Sequence, residues 1–180
     1  MNPFVKERIL PLSLTAFVII IDQITKAFIA NNWPISRDII TDVFGNGFLR
    51  IIHVRNPAIA FSMGSNLPEF IKPFVFIILP ILVLCFLLWY FFKSNDFTLV
   101  QRWAAAGIIG GGIGNIIDRI FRPEGVVDFI DVKFYGIFGM ERWPTFNFAD
   151  SSVVICCLLL FVTLFITPKK PKEEPNEQES

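Results

Sequence analysis

The stretch GGGIGNIIDR, residues 110–119, decides between two very different folds. Glycine-rich segments either bind phosphate groups or allow helices in a membrane to approach closely. A dinucleotide site needs a preceding strand and G-x-G-x-x-G spacing, and a Walker loop needs Gly-Lys followed by Ser or Thr. Here the preceding residues, WAAAGII, continue an apolar helix, and neither pattern is present. The pairs Gly107/Gly111 and Gly110/Gly114 instead have G-x-x-x-G spacing, which favours a closely packed membrane helix.

The composition also favours a membrane protein. Of the 180 residues, 53% are hydrophobic, and the mean hydropathy is +0.58. Lys plus Arg and Asp plus Glu each number 16, so no basic excess suggests a nucleic-acid partner. The cysteines lie inside apolar runs and provide neither a disulfide framework nor a metal site: Cys85, Cys156 and Cys157.

Four apolar segments have about the length that a membrane-spanning helix needs, roughly 20 residues. We predict helices over Ile9–Ala30, Pro73–Phe92, Leu99–Ile117 and Ser151–Thr167. The first run is too long for a cleavable signal peptide and lacks a small-x-small site, so we expect a retained helix. Residues 1–167 then form one transmembrane domain. Residues 168–180 are rich in proline and charge and are expected to be a disordered cytoplasmic tail.

Basic residues beside the spans predict the orientation. With the N-terminus in the cytoplasm, the cytoplasmic segments contain Lys6, Arg8, Lys93, Arg102, Lys169, Lys170 and Lys172. Four spans return the C-terminus to the cytoplasm and place loops 31–72 and 118–150 on the outer face. These loops hold most of the other polar residues, so we expect any chemistry on that face.

The outer loops also contain strand-like sequence. FLRIIHVR, residues 48–55, follows the turn signal Gly-Asn-Gly, and a second short strand is expected over Val126–Tyr135. Trp33, Trp143 and Tyr135 suit a membrane interface. We therefore predict a membrane all-α fold of four transmembrane helices, with a small amphipathic β-sheet on the outer leaflet.

Polar residues cluster at the outer ends of the predicted helices. Asn115, Asp118 and Arg119 share a helix face, and Asn147 and Asp150 repeat the Asn-x-x-Asp spacing. One such cluster is ordinary at a helix end, where Asp also serves as an N-cap. Two clusters favour function, because ionisable groups at membrane depth are costly. Three further aspartates lie in the same outer region: Asp22, Asp128 and Asp131.

The residue types favour an aspartic mechanism. A zinc protease of the H-E-x-x-H type needs two histidines, and His53 is the only one. A structural role is the favoured interpretation of that histidine, and the serines have no obvious base. Two neighbouring carboxylates share one proton, so that one activates water and the other protonates the substrate carbonyl. Spacing leaves open whether Asp118, Asp128 or Asp131 belongs to the pair.

Five motifs occur in order along the chain and together resemble the bacterial prolipoprotein signal peptidase family, the type II signal peptidases. They are Asp22-Gln-x-x-Lys26, Asn56-x-Ala-x-Ala60-Phe61-Ser62, Gly111-Gly-x-Gly-Asn115-x-x-Asp118-Arg119, Val127-Asp128-Phe129 and Phe146-Asn147-x-Ala149-Asp150-Ser151. The resemblance implies four transmembrane helices and a periplasmic β-cradle. It also implies an intramembrane aspartic endopeptidase that cuts lipoprotein precursors just before a diacylglyceryl-modified cysteine.

Position by position, the resemblance makes Asp128 and Asp150 the catalytic pair. Residues that shape the site are implied to be Asp22, Lys26, Asn56, Asn115, Asp118, Arg119, Asn147 and Ala149. No metal or cofactor is implied. The implied partners are prolipoprotein substrates, membrane lipid and globomycin-type inhibitors, with the chain a monomer in the bacterial cytoplasmic (inner) membrane. The active site is expected at the periplasmic face, with both termini cytoplasmic.

Two features depart from the family pattern. Ala58 stands where glycine is common, and the segment GIFGMERWP is inserted before the last motif. Asp150 is expected at a helix N-terminus, where the helix dipole favours its ionised form, which leaves the proton more often on Asp128.

Two other functions stay open. An ion-coupled transporter subunit needs charges or broken helices at the bilayer midplane. A lipoprotein-binding or assembly protein needs no chemistry.

Overall fold

Four apolar helices form the body of the part of the chain that the structure describes. The computed structural model describes residues 2–57, 67–68 and 70–166. Helices α1 (Leu12–Asn32) and α2 (Leu79–Lys93) are each preceded by a π-helical segment, Val5–Ile9 and Phe74–Ile78 respectively. Helices α3 and α4 cover Leu99–Phe121 and Phe148–Ile166. Val5–Asn32, Phe74–Lys93 and α3 are long and apolar enough to cross a membrane, and α4 is a further apolar helix. The predicted four-helix membrane fold is confirmed. The expected tail, residues 168–180, lies outside the described residues.

A three-stranded antiparallel sheet lies at one end of the helices. Its strands are β1 (Ser36–Asp42), β2 (Leu49–Asn56) and β3 (Val126–Val132), in the order β1-β2-β3. Strands β2 and β3 lie close to their predicted positions, whereas β1 was not expected from the sequence. Because β1 follows α1, and β3 lies between α3 and α4, the end of α3 and the start of α4 meet at this sheet. We call this end of the bundle the sheet end.

Two helices extend farther towards the sheet than predicted. Helix α3 continues to Phe121, four residues past the expected end at Ile117, and α4 begins at Phe148, three residues before Ser151. The loop expected over residues 118–150 is therefore shorter at both ends. Hydropathy marks the end of an apolar run, whereas the helix itself ends where its backbone hydrogen bonds end. As a result, the polar residues at these ends lie on rigid helical turns.

Helix α3 is the central helix and contacts the other three. Its two G-x-x-x-G pairs face different neighbours: Gly107 and Gly111 face α4, and Gly110 and Gly114 face α1. A Cβ atom on Gly111 would lie 2.4 Å from the Ala149 carbonyl oxygen of α4. The glycines therefore permit direct backbone approach, which confirms the packing interpretation of the GGGIG segment.

The GIFGMERWP segment folds back onto the sheet. It contains a 3₁₀ turn, Ile137–Gly139, and Arg142, whose three side-chain nitrogen atoms all donate hydrogen bonds. The Arg142 Nε lies 2.7 and 2.6 Å from the two carboxylate oxygens of Asp131 on β3, and its Nη1 donates to the Gly47 carbonyl at 3.0 Å. The segment is thus attached to both β3 and the turn between β1 and β2.

Candidate active site

Asn147 connects the two predicted catalytic carboxylates. Its side-chain Nδ2 donates to Asp128 Oδ1 on β3 at 2.7 Å. Its backbone N–H donates to Asp150 Oδ2 on α4 at 3.1 Å. The asparagine is fully buried, so these bonds have no competition from water. The fold therefore brings together a strand carboxylate and a helix carboxylate that lie 22 positions apart in the sequence.

The start of α4 fixes Asp150 through a reciprocal capping arrangement. Because α4 begins at Phe148, Asn147 is the N-cap residue and Asp150 is the third helical residue. The Asp150 N–H donates to Asn147 Oδ1 at 3.0 Å, while the Asp150 carboxylate accepts the Asn147 N–H. This is the capping-box pattern with Asn and Asp in place of Ser and Glu. A carboxylate in this first turn is also stabilised by the helix dipole.

The remaining carboxylate oxygens accept bonds from two further asparagines. Asn115 of α3 donates from Nδ2 to Asp150 Oδ1 at 2.7 Å. Asn56, the last residue of β2, donates from Nδ2 to Asp128 Oδ2 at 3.1 Å. Each of the two carboxylates therefore accepts a hydrogen bond at both of its oxygens. Both asparagines are among the residues that the sequence predicted at this site.

The surroundings of Asp128 favour the protonated form of its carboxyl group. The Asp128 side chain is buried in β3, at 3% exposure, and its surroundings raise the pKa of its carboxyl to about 7, with burial as the largest cause. The charge of Asp150 contributes to this rise, and the hydrogen bonds from Asn56 and Asn147 partly oppose it. Near neutral pH, Asp128 therefore holds a proton for much of the time.

Arg119 provides positive charge next to the pair. Its Nη1 donates to the Asn115 carbonyl at 3.3 Å within α3, and its guanidinium interacts electrostatically with Asp150 and Asp128. A fixed cation here stabilises negative charge on the pair without needing a proton. This location of Arg119 is consistent with the prediction that it shapes the site without reacting.

A buried ion cluster contacts Asn115, the residue that donates to Asp150. It consists of Lys26, Asp22 and Asp118, whose side chains are all fully buried. The Lys26 Nζ lies 2.8 Å from Asp22 Oδ2, 3.3 Å from Asp118 Oδ2 and 2.9 Å from Asn115 Oδ1. Three acceptors therefore surround the ammonium group, which buried charges require. The same contact orients the Asn115 amide so that its Nδ2 faces Asp150.

The two remaining polar candidates have structural partners instead. The Asp131 carboxylate is paired with Arg142, away from Asn147 and Asp150. His53 is buried in β2, with its Nδ1 2.9 Å from the Trp33 carbonyl oxygen, which supports the structural interpretation of this residue. Spacing left open which of three aspartates belongs to the pair, and that assignment stays a prediction. Of these three, Asp128 is the one whose carboxylate Asn147 connects to Asp150.

Two contacts of the ion cluster were not singled out from the sequence. Gln23 Nε2 donates to Asp22 Oδ2 at 3.1 Å and to Asp118 Oδ1 at 3.1 Å. Arg122, on the last turn of α3, forms an ion pair with the same Asp118. For Gln23 the available signal was its place in the Asp-Gln-x-x-Lys motif. For Arg122 it was the i, i+4 spacing from Asp118.

Comparison with known proteins matches this architecture to one family. The family model for signal peptidase (SPase) II matches residues 14–166, which include every polar residue of the site. This chain belongs to the signal peptidase II family. The lipoprotein signal peptidase of Treponema pallidum is 42% identical over 175 residues, covering 97% of this chain and 93% of that protein. That of Treponema denticola is 45% identical over 168 residues, covering 93% and 95%.

A solved structure agrees with the same assignment. A bacterial membrane enzyme superposes with a TM-score of 0.74 at 34% identity, covering 92% of this chain and 94% of that one. This signal peptidase II family member is therefore a multi-pass membrane protein and a peptidase by family. Part of the second motif, Ala58 to Ser62, lies outside the described residues, so the effect of Ala58 stays a prediction.

An apolar cavity lies on the other side of β3 from the predicted catalytic pair, Asp128 and Asp150. Its volume is about 520 Å³, and α1 and all three strands line it. Phe129 faces this cavity, whereas its neighbour Asp128 faces Asn147, because successive side chains of a strand point to opposite faces. The sheet of this peptidase thus separates an apolar face from the polar site. Ala149, also predicted at the site, is fully buried where α4 approaches α1 and α3.

Proposed function

We propose that this chain is an aspartic endopeptidase that removes the signal peptide from diacylglyceryl-modified prolipoproteins, cutting just before the lipidated cysteine. The observation that carries the proposal is the connection of Asp128 to Asp150 through Asn147 at the end of a membrane helix bundle. Membership of the signal peptidase II family supports the substrate class. The raised pKa of Asp128 supports a pair in which one group is protonated and the other ionised.

The two carboxyl groups then divide the work of hydrolysis. Asp150, ionised, takes a proton from a water molecule as that water attacks the scissile carbonyl carbon. Asp128, protonated, gives its proton to the carbonyl oxygen, and a neutral tetrahedral diol forms. The Asp150 proton next passes to the leaving amide nitrogen, the C–N bond breaks, and a diol hydroxyl returns its proton to Asp128. The pair ends in the protonation state in which it began.

The surrounding groups suit these roles. Hydrogen bonds from Asn115 Nδ2 and the Asn147 N–H hold the two carboxylate oxygens of Asp150 in place. Arg119 provides a fixed positive charge while negative charge moves between the two carboxyl groups. The two carboxyl groups are thus held in place before the substrate binds, so the site is preorganised for the reaction.

The proposed location follows from the distribution of polar groups. Residues 1–167 form a monomeric transmembrane peptidase domain in the bacterial inner membrane, with both termini cytoplasmic. The sheet end faces the periplasm, and the tail at 168–180 is cytoplasmic. The substrate helix enters sideways from the lipid, its acyl chains stay in the bilayer, and its scissile bond reaches the sheet end. Membrane lipid and globomycin-type inhibitors are the further proposed partners.

The proposal is tested with purified protein in detergent micelles and a diacylglyceryl-modified precursor. Mass spectrometry of the products locates the cut, and the same precursor without its lipid is the matched control substrate. We expect cleavage of the lipidated precursor immediately before the modified cysteine and inhibition by a globomycin-type compound. Cleavage elsewhere, or equal cleavage of the unlipidated precursor, would contradict the substrate assignment. No cleavage, together with binding of the precursor, would favour a lipoprotein-binding protein.

A further inference from the structure

Asp118 fixes the backbone next to one catalytic residue. Its carboxylate Oδ2 accepts the backbone N–H of Val127 at 3.0 Å, and Val127 immediately precedes Asp128 in β3. Both partners are fully buried. Since a buried N–H without an acceptor is costly, this bond ties the position of Asp128 to the end of α3.

Asp22 fixes the backbone next to the other catalytic residue. Its Oδ1 accepts the backbone N–H of Ala149 at 3.0 Å, and Ala149 immediately precedes Asp150 in α4. This N–H belongs to the first turn of the helix, where it has no acceptor within α4 itself. The bond therefore ties the start of α4 to the side of α1.

Lys26 joins these two contacts. Its Nζ lies 2.8 Å from Asp22 Oδ2 and 3.3 Å from Asp118 Oδ2. Asp22 therefore binds the ammonium group and a backbone N–H through different oxygens, whereas Asp118 Oδ2 contacts both. The result is one continuous buried connection from the backbone before Asp128 to the backbone before Asp150. We refer to it as the Lys26 bridge.

We propose that the Lys26 bridge sets the separation of the two catalytic carboxyl groups, and that Asp22 and Asp118 are positioning residues. The inference rests on the proposed function, because it assigns a role in the same reaction. General acid and base groups must lie within hydrogen-bond reach of the atoms between them. A displacement of about 1 Å lowers the rate of the chemical step by about 10²-fold. The bridge contacts no reacting atom, so its loss acts on kcat and leaves substrate binding in place.

The test compares two substitutions at one position. Asp22→Ala removes the acceptor of the Ala149 N–H, whereas Asp22→Asn keeps an acceptor oxygen for it and replaces the Oδ2 that binds Lys26 by an NH2 group. We expect kcat to fall about 10²-fold in the alanine variant and about 10-fold in the asparagine variant, with KM changed by less than about twofold in both. Thr15→Val is the matched control. It removes one α1–α3 hydrogen bond, from Thr15 Oγ1 to the Ala106 carbonyl at 2.7 Å, without contacting the site.

Thermal midpoints in micelles accompany the kinetics. The inference is supported if Asp22→Ala and Thr15→Val lose similar thermal stability and only the Asp22 variants lose kcat. It is overturned if both Asp22 variants keep the wild-type kcat, lose it equally, or change KM instead. Should Asp22→Ala fail to fold, Asp22→Asn decides alone: a lower kcat at constant KM supports the inference, and a wild-type kcat overturns it. Wild type and Asp150→Asn are assayed in parallel, since an inactive wild type contradicts the proposed function rather than the bridge.

Discussion

Asn147 and Asp150 hold each other at the first turn of α4, each donating a backbone N–H to the side chain of the other. The same Asn-x-x-Asp spacing occurs at Asn115 and Asp118, where both residues lie inside α3 and have different partners. Asn115 reaches Asp150, and Asp118 reaches the backbone of β3. The same sequence pattern therefore caps a helix in α4, whereas in α3 it links that helix to α4 and to β3.

Substitution of Asn147 separates its capping role from its contact with Asp128. Asn147→Ala removes both and should lower the free energy of unfolding by about 1 kcal/mol through the cap alone, as well as lowering kcat. Asn147→Ser keeps a capping oxygen but loses the longer side-chain amide whose Nδ2 donates to Asp128. We expect the serine variant to recover most of the thermal midpoint in micelles but not the activity. Recovery of both properties by serine would show that the contact with Asp128 is dispensable.

The activity of the enzyme should fall above neutral pH. The pKa of Asp128 is raised to about 7, mainly by burial and further by the charge of Asp150, so its proton is lost as the pH rises through about 7. Both groups are then ionised, and the proton donor for the substrate carbonyl is absent. We expect a basic limb in the profile of kcat/KM against pH centred near that value. A rate that stays constant up to pH 9 would contradict the assignment of the proton to Asp128.

The stability of the protein should depend on the same group. Between its ordinary pKa of 3.8 and its folded value of about 7, the folded protein holds a proton on Asp128 that the unfolded chain has lost. Stability therefore falls as the pH rises through this window, by up to about 4 kcal/mol. Asp128→Asn cannot ionise and should flatten this part of the curve of thermal midpoint against pH. An unchanged slope in that variant would assign the dependence to other groups.

The glycines of α3 should differ in their tolerance of alanine. A Cβ on Gly111 meets the carbonyl oxygen of Ala149 at 2.4 Å, and this backbone atom can move only if α4 moves. A Cβ on Gly112 meets Leu84 Cδ2 at 2.7 Å, the flexible end of a side chain. We expect Gly111→Ala to lower stability by about 1–3 kcal/mol and Gly112→Ala to be close to neutral. Equal thermal midpoints of the two variants would contradict direct α3–α4 backbone packing.

The features that the sequence predicted well are those with local signals. Helix positions follow from the length of apolar runs, and the G-x-x-x-G pairs follow from spacing within a single helix. Strands β2 and β3 contain alternating or β-branched residues next to turn signals. Strand β1, SRDIITD, was missed because most of its side chains are exposed, so it has little hydrophobic pattern.

The composition of the site was less accessible from the residues alone. Asp118, Asp128 and Asp131 are equally polar in sequence, and only the fold shows that they face Lys26, Asn147 and Arg142 respectively. The partner of a buried carboxylate depends on which elements meet in space. Resemblance to the family supplied the choice of Asp128, which stays a prediction, and the contact of Asp128 with Asn147 is consistent with it.

The most direct test of the central claim is cleavage by variants of the two carboxylates themselves. Asp128→Asn and Asp150→Asn preserve side-chain shape and remove the groups that hold and accept the proton. Asp38→Asn is the matched control, because Asp38 is exposed on β1 and its side chain bonds to Ser36 in the same strand. We predict that each site variant folds and loses at least about 10³-fold in kcat on a lipidated precursor, while the control keeps wild-type activity. Normal cleavage by a folded Asp128→Asn or Asp150→Asn variant would contradict the catalytic pair.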